Sequence, residues 1–213
     1  MITKPPARRV DAPALANTIR RMPDDPIARF QRWFAQARRT GMALPESMTV
    51  ATADARGRPS ARMVLLKHAD ADGFVFYTNA RSRKGRELAA NPRAALVFHW
   101  SPLNKQVRVE GPVAEVSTAE ADAYWATRPR ASQLAALASE QSASVASRAQ
   151  MLARWRALSR RYRRTAVPRP RHWTGYRVAP ESIEFWTHRD HRLHDRELFT
   201  RTRRGWKQVR LQP

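Results

Sequence analysis

The stretch from Met48 to Asn79, MTVATADARGRPSARMVLLKHADADGFVFYTN, decides the fold class. Two alternating runs, MTVATAD and SARMVLLK, flank ARGRPS, where glycine and proline mark a turn. Period-two alternation puts one face of each run on a core and the other toward solvent, so the pair predicts an antiparallel hairpin. A third run, GFVFYT, follows the acidic turn HADAD. Further along, AALVFHW and VRVEGPVAEV continue the strand series, interrupted by one helix, SRKGRELAAN. Before the hairpin, Asp25-Pro26 reads as an N-cap followed by proline at the first helical position. Ile27, Phe30, Trp33, Phe34 and Ala37 then recur at helical spacing until Gly41.

Beyond residue 116 the period changes. Ser117 and Glu120 form a capping-box pattern that opens a helix to about Thr127. A second helical stretch covers Gln133 to Ala138, and a third runs from about Ser147 to Arg164 with Met151, Leu152, Trp155 and Leu158 as its apolar stripe. After the proline-rich break VPRPRHW come three strands, GYRVAPESIEFWTH, RELFTRT and GWKQVRLQP. The inventory predicts an α+β fold, a mainly antiparallel barrel with surrounding helices. Residues 1–23 read as a flexible arm and residues 24–213 as a single domain.

Composition narrows the function classes. No apolar run approaches the ~20 residues that span a bilayer, and the N-terminus has no continuous apolar segment resembling a signal peptide. With 0 cysteines there is no disulfide framework and no thiolate site, and a cytoplasmic address is the simple expectation. The net charge of +22 is uneven: from Arg148 onward 18 Arg or Lys stand against 5 Asp or Glu. Such a field attracts anions. A solvated arginine-rich helix face is favoured over a dedicated nucleic-acid surface, because only Trp155 and Tyr162 interleave the cluster.

No nucleophile elbow, Walker loop, HExxH or GxGxxG occurs. His188, His191 and His194 cluster without carboxylate or cysteine partners at metal-ligand spacing, so no metal is expected. What stands out is basic and hydroxyl groups at strand ends and helix starts. Arg62 and Lys67 bracket RMVLLK and, five apart, would face opposite sides of a regular strand. Tyr77-Thr78 ends the next strand, and Ser82-Arg83-Lys84-Gly85 opens a helix whose free N–H groups, with a hydroxyl and two cations, suit a phosphate.

The ordered set RMVLLK, FVFYTN, SRKGRELAANPRAAL, W-x-x-L-x-x-QVRVEG, Y-x-x-x-RPRxSQ, QS, VPRPxHW-x-GYRV, IEFW and RLHDR resembles the pyridoxine/pyridoxamine 5′-phosphate oxidase family from about Asp25 to Pro213. The resemblance implies an FMN-binding split β-barrel, a homodimer with shared sites, and oxidation of phosphorylated B6 vitamers by O2. It assigns the FMN phosphate and ribityl chain to Arg62, Thr78, Arg83 and Lys84, with Tyr77 beside them, and counts Lys67 among both the cofactor-binding and the substrate-binding residues. Gln106, Gln141 and Ser142 would reach the cofactor across the dimer, joined by Trp186 and Arg196. Lys67, Tyr124, Arg128 and Ser132 would grip the substrate phosphate, Tyr124 and Arg128 being four apart on one helix face. Arg192 and His194 would lie over the substrate pyridine as the catalytic pair.

The sequence departs from the family pattern in three places. QLAALAS follows Ser132 where a glycine and often a tryptophan are usual, Arg171 and Thr174 replace proline and glycine, and THRDH replaces a glycine-containing turn before RLHDR. Two competing classes remain: a related FMN oxidase of the phenazine type, and a binding protein for nucleic acid or flavin. A non-phosphorylated substrate would have no use for Lys67, Arg128 and Ser132, which weighs against the first.

Overall fold

A computed structural model describes residues 25–213, so the arm read over residues 1–23 lies outside the described residues. Helix α1 (Pro26–Arg38) opens as its sequence dictates: the Asp25 carboxylate accepts from the Ile27 amide at 3.1 Å, and proline fills a position whose N–H would have no partner. Its stripe of Ile27, Phe30, Trp33 and Ala37 is buried. The fully buried Phe30 ring meets Phe74 at 4.8 Å and Phe98 at 4.9 Å, both edge-on. Truncating it to alanine would cost about 3–5 kcal/mol.

The hairpin forms as β1 (Ser47–Ala53) and β2 (Pro59–Leu65), paired antiparallel with Val50 opposite Arg62. The acidic stretch read as a turn contains a short strand, β3 (His68–Asp70), paired with β4 (Gly73–Asn79). The turn itself is tighter than expected because Asp70 Oδ1 accepts from the Asp72 and Gly73 amides, at 2.9 and 3.0 Å. Helix α2 (Arg83–Ala90), β5 (Arg93–Trp100) and β6 (Lys105–Glu115) follow. Then come α3 (Thr118–Thr127), α4 (Arg130–Ala138) and α5 (Arg148–Arg161), and β7 (Trp173–Val178), β8 (Ser182–Thr187), β9 (Asp195–Thr202) and β10 (Gly205–Leu211).

The run GYRVAPESIEFWTH is therefore two strands, not one. Pro180 has no N–H for the ladder and breaks it, while the flanking Ala179 and Glu181 amides bond to Pro112 and Glu110 carbonyls at 2.9 Å each. This break lets the eleven-residue β6 serve two partners on one edge while β5 covers the other. Its first half, Lys105–Glu110, pairs with β8, and Val113–Glu115 pair with β7. At the fork, a Cβ on Gly111 would lie 1.9 Å from the Ala179 carbonyl oxygen, so only glycine fits. The sheet order β10-β9-β8-β6-β5-β1-β2 follows one branch, and β7, β4 and β3 curl away on the other. The main core lies inside this curl beneath α1.

Helices α3–α5 rest on a second cluster built on Trp125, Leu134, Val167 and Trp173. Ser117 caps α3 through the Glu120 amide at 3.1 Å, but the Glu120 carboxylate bonds Arg177 at 3.0 Å instead of completing the capping box. On α5 no residue is buried; Trp155 and Leu158 rest on the cluster, whereas Leu152 is exposed. No helix among the described residues is long and apolar enough to cross a membrane.

Candidate active site

A cavity of about 910 Å³ lies between β2, the β4–α2 junction and the α3–α4 region. It gathers Arg62, Lys67, Tyr77, Thr78, Arg83 and Lys84 from the first half of the chain with Tyr124, Arg128, Ser132, Gln141 and Ser142 from the second. Arg62 and Lys67 share it although five apart, because β2 ends at Leu65 and strand parity no longer governs Lys67, whose amide donates to Val75 O at 2.8 Å.

At the α2 end, Ser82 caps the helix through the Gly85 amide. The Lys84 ammonium is buried among neutral oxygens: it donates to Thr78 Oγ1 at 2.8 Å, Gln141 Oε1 at 2.9 Å and Ser82 Oγ at 3.2 Å. Burial, and secondly the Arg62 charge, lower its pKa to about 8, with Glu87 opposing. The Arg83 amide donates to Ser142 Oγ at 3.1 Å, and Ser142 holds a left-handed φ of 73°. Gln141 and Ser142, expected to approach from a second subunit, thus sit in the same chain as Lys84 and Arg83. A cation held only by neutral oxygens, beside a helix N-terminus, can receive an anion.

The other end is aromatic. Tyr77 stacks on Tyr124 at 4.0 Å and on Trp173 at 5.2 Å, with the Tyr77–Trp173 planes within 10°. Gly175 makes room for this, since a Cβ there would lie 2.8 Å from the Tyr77 ring. Burial first, then Glu120 and Tyr124, push the Tyr77 phenol up to about 12, so it stays a neutral donor. Arg128 is the residue after α3 and not part of its face; its extended ψ of 142° swings the guanidinium over Trp173 (4.6 Å) and Trp125 (5.1 Å). Its NH1 is buried without a hydrogen-bond partner. A guanidinium nitrogen can only donate, so an anionic acceptor would suit it. Trp125 and Trp173 position it, and of the two only Trp173 carries a sequence signal, the HW pair before GYRV.

Gln106, Trp186, Arg192, His194 and Arg196 do not line the cavity of their own chain. Three of them form a row: Gln106 faces Trp186 across β6–β8, and Trp186 faces Arg196 across β8–β9. The neighbouring positions Val107 and Phe185 enter the core, so the row points out of the opposite face. Arg196 is fixed by the buried Glu184 through contacts of 2.8 and 3.2 Å, and Arg108 holds the same carboxylate at 2.9 Å. His194 packs on Trp186 at 4.6 Å and accepts from the Arg189 amide through Nδ1 at 3.1 Å. His191 and Arg192 take left-handed φ values of 56° and 63°, filling without glycine the turn where glycine is usual.

Two family models cover the chain. One described as pyridoxamine 5′-phosphate oxidase matches residues 34–187, and one described as the pyridoxine 5′-phosphate oxidase C-terminal dimerisation region matches residues 173–213. The chain belongs to the pyridoxamine 5′-phosphate oxidase family. A Rubrobacter xylanophilus protein named pyridoxine/pyridoxamine 5′-phosphate oxidase is 56% identical over 89% of this chain and 87% of its own. The Sphingopyxis alaskensis protein of that name is 55% identical over 91% of this chain and 89% of its own. Among solved structures, PhzG from Burkholderia lata, crystallised with tetrahydrophenazine-1-carboxylic acid, superposes with a TM-score of 0.85 at 32% identity, covering 90% of this chain and 94% of that one. An FMN-binding, pyridoxamine 5′-phosphate oxidase-related protein from Nostoc punctiforme shares the fold, with a TM-score of 0.71 at 15% identity over 90% of this chain and 100% of that one. The split-barrel expectation and the family resemblance both hold. The outward row Gln106–Trp186–Arg196 falls partly within the matched dimerisation region.

Proposed function

We propose that this chain is a cytoplasmic, homodimeric FMN enzyme that oxidises pyridoxine 5′-phosphate or pyridoxamine 5′-phosphate to pyridoxal 5′-phosphate. The observation that carries this reading is Arg128, which stands with Trp125 and Trp173 and not in the Lys84 cluster, and whose buried NH1 has no hydrogen-bond partner on the chain. One phosphate receptor suits a cofactor; two in one cavity suit a phosphorylated cofactor and a phosphorylated substrate. Arg62, Thr78, Arg83, Lys84, Gln141 and Ser142 would hold the FMN phosphate end. Lys67, Tyr124, Arg128 and Ser132 would hold the substrate phosphate.

Bound FMN would supply the acceptor for the hydride leaving substrate C4′; the alcohol or amine proton would leave with it, O2 would take up the two electrons and two protons as H2O2, and the amine substrate would also consume a water and release ammonia. The chain's own task is to bind, orient and exclude water. The Tyr77–Tyr124–Trp173 stack walls the pocket, and Trp173 holds the Arg128 guanidinium that would grip the phosphate. Gln106, Trp186, Arg192, His194 and Arg196 would come from the second subunit, since none of the five lines the cavity of its own chain and the Gln106–Trp186–Arg196 row points outward. Arg192 and His194 would there orient the substrate ring.

A phenazine-type oxidation is the second reading, supported by the overlay on PhzG. The higher identity to the named B6 oxidases and the Arg128 receptor favour the phosphate-bearing substrate. The test is turnover on paired substrates: pyridoxine 5′-phosphate should give pyridoxal 5′-phosphate and peroxide in equal amounts, with pyridoxine nearly inert. Equal rates on the two would overturn the reading.

A further inference from the structure

Behind the cationic end of the cavity sits a carboxylate that neither the motifs nor the matches assign. Glu87, on α2, is 5% exposed and makes four contacts from three elements. Its Oε1 accepts from Arg83 Nε at 2.8 Å; its Oε2 accepts from Thr52 Oγ1 (2.5 Å) on β1, from Ser60 Oγ (2.6 Å) on β2 and from Arg62 NH2 (3.3 Å) on β2. Arg62 in turn donates to Thr52 Oγ1 at 2.5 Å and to Ser60 Oγ. Both terminal nitrogens of Arg62 are therefore tied to one cluster, the buried Glu87 and Thr52 and the half-buried Ser60. Burial alone would raise the Glu87 pKa, yet hydrogen bonds from Ser60, Thr52, Arg83 and Arg62 hold it at about 2, so it is ionised throughout the working range.

We infer that Glu87 is a positioning residue that fixes Arg62 and Arg83 on the cavity wall and so sets the selectivity of this site for a phosphate-bearing flavin over its unphosphorylated form. The inference rests on the FMN reading above. Glu87 does not line the cavity and cannot touch a ligand there. Arg62 and Arg83 do line it, and each has a long side chain with many rotamers to lose. Pre-orientation by Glu87 removes that ordering step from binding. Its negative charge does not repel the ligand to the same degree, because it is spent on the two guanidiniums that stand between them. Selection of phosphate arises only if the arginines matter to the phosphate and not to the isoalloxazine ring.

The experiment is fluorescence-quenching titration of the dimer, stripped of flavin, with FMN and with riboflavin. Wild-type protein should bind FMN far more tightly than riboflavin. Glu87→Gln, similar in shape but uncharged, should lower the ratio of the two affinities about tenfold while riboflavin affinity changes less than twofold. Thr52→Val, outside the cavity and nearly isosteric, should lower the ratio by about threefold and covers the case in which Glu87→Gln fails to fold. A ratio unchanged in either folded variant would reduce Glu87 to a structural tie, and a ratio that rises would mean its charge opposes the ligand; both overturn the inference. Wild-type protein that does not discriminate the two flavins would instead sink the FMN reading itself.

Discussion

Replacing Arg128 with alanine isolates the substrate receptor. The guanidinium lies over two indoles, at 4.6 and 5.1 Å, and one of its nitrogens is buried without a partner. Removing it forfeits cation–π attraction of about 0.5–2 kcal/mol per contact, but relieves an unsatisfied donor worth about 1–3 kcal/mol. These offset, so the stability of the flavin-loaded dimer should change by no more than about 1–2 kcal/mol. Burial also disfavours the Arg128 charge, with Tyr124 opposing, which adds to the relief. Binding is different. A charge-assisted hydrogen bond to a phosphate in this half-buried site contributes about 1.5–3 kcal/mol, or about 10- to 150-fold in affinity. Because the phosphate does not react, the bond is equally strong in ground and transition states, so KM should rise by that factor with kcat nearly unchanged. Steady-state kinetics with pyridoxine 5′-phosphate, alongside a thermal melt, checks both halves. An unchanged KM in a folded variant would refute the receptor assignment, and a large loss of stability would mean that Arg128 is a packing residue.

Lys84→Ala should weaken FMN binding about 10- to 150-fold with the dimer intact, read by flavin retention on dialysis. In the flavin-free wild type, the unfolded chain keeps a proton on Lys84 between pH of about 8 and 10.5 that the folded chain has shed. Stability from this group should therefore rise with pH across that window, and Lys84→Met should flatten the rise in a pH series of denaturant melts. Arg192→Ala should mainly lower kcat, on the order of a hundredfold if the ring shifts by about 1 Å, whereas a pure KM effect would remove it from the orienting role. Neutralising Arg160, Arg161, Arg163 and Arg164 on and just after α5 should leave turnover within a few-fold, and any RNA binding should fade steeply with salt. Light scattering should show a dimer, and a monomer retaining stoichiometric FMN would contradict the shared site.

Local signals carried most of the fold. Asp25-Pro26, Ser82 and Ser117 each cap the helix they were expected to open, and the hairpin around Gly57 pairs as its alternation requires. The errors arose where tertiary context overrides pattern. Pro180 splits one apparent strand because β6 needs a different partner on each side of its fork. Lys67 joins Arg62 in one cavity because the strand stops two residues short of it. Of the sixteen residues expected around the ligands, eleven line one cavity of a single chain, but which subunit's site Gln141 and Ser142 serve is not legible in the sequence, since sequence order carries no chain identity. Glu87 went unread because an i, i+4 pair with Arg83 looks like an exposed helix ion pair until Thr52 and Ser60 are seen to bury it.

The central claim is that one cavity brings a flavin and a phosphorylated B6 vitamer together. Anaerobic mixing of the purified yellow protein with pyridoxine 5′-phosphate tests it most directly, followed by visible absorbance. The long-wavelength flavin band should bleach in proportion to the pyridoxal 5′-phosphate formed and return when oxygen is admitted, while pyridoxine at the same concentration leaves it unchanged. A flavin band indifferent to the phosphorylated vitamer, or bleached equally by the unphosphorylated one, would contradict the account.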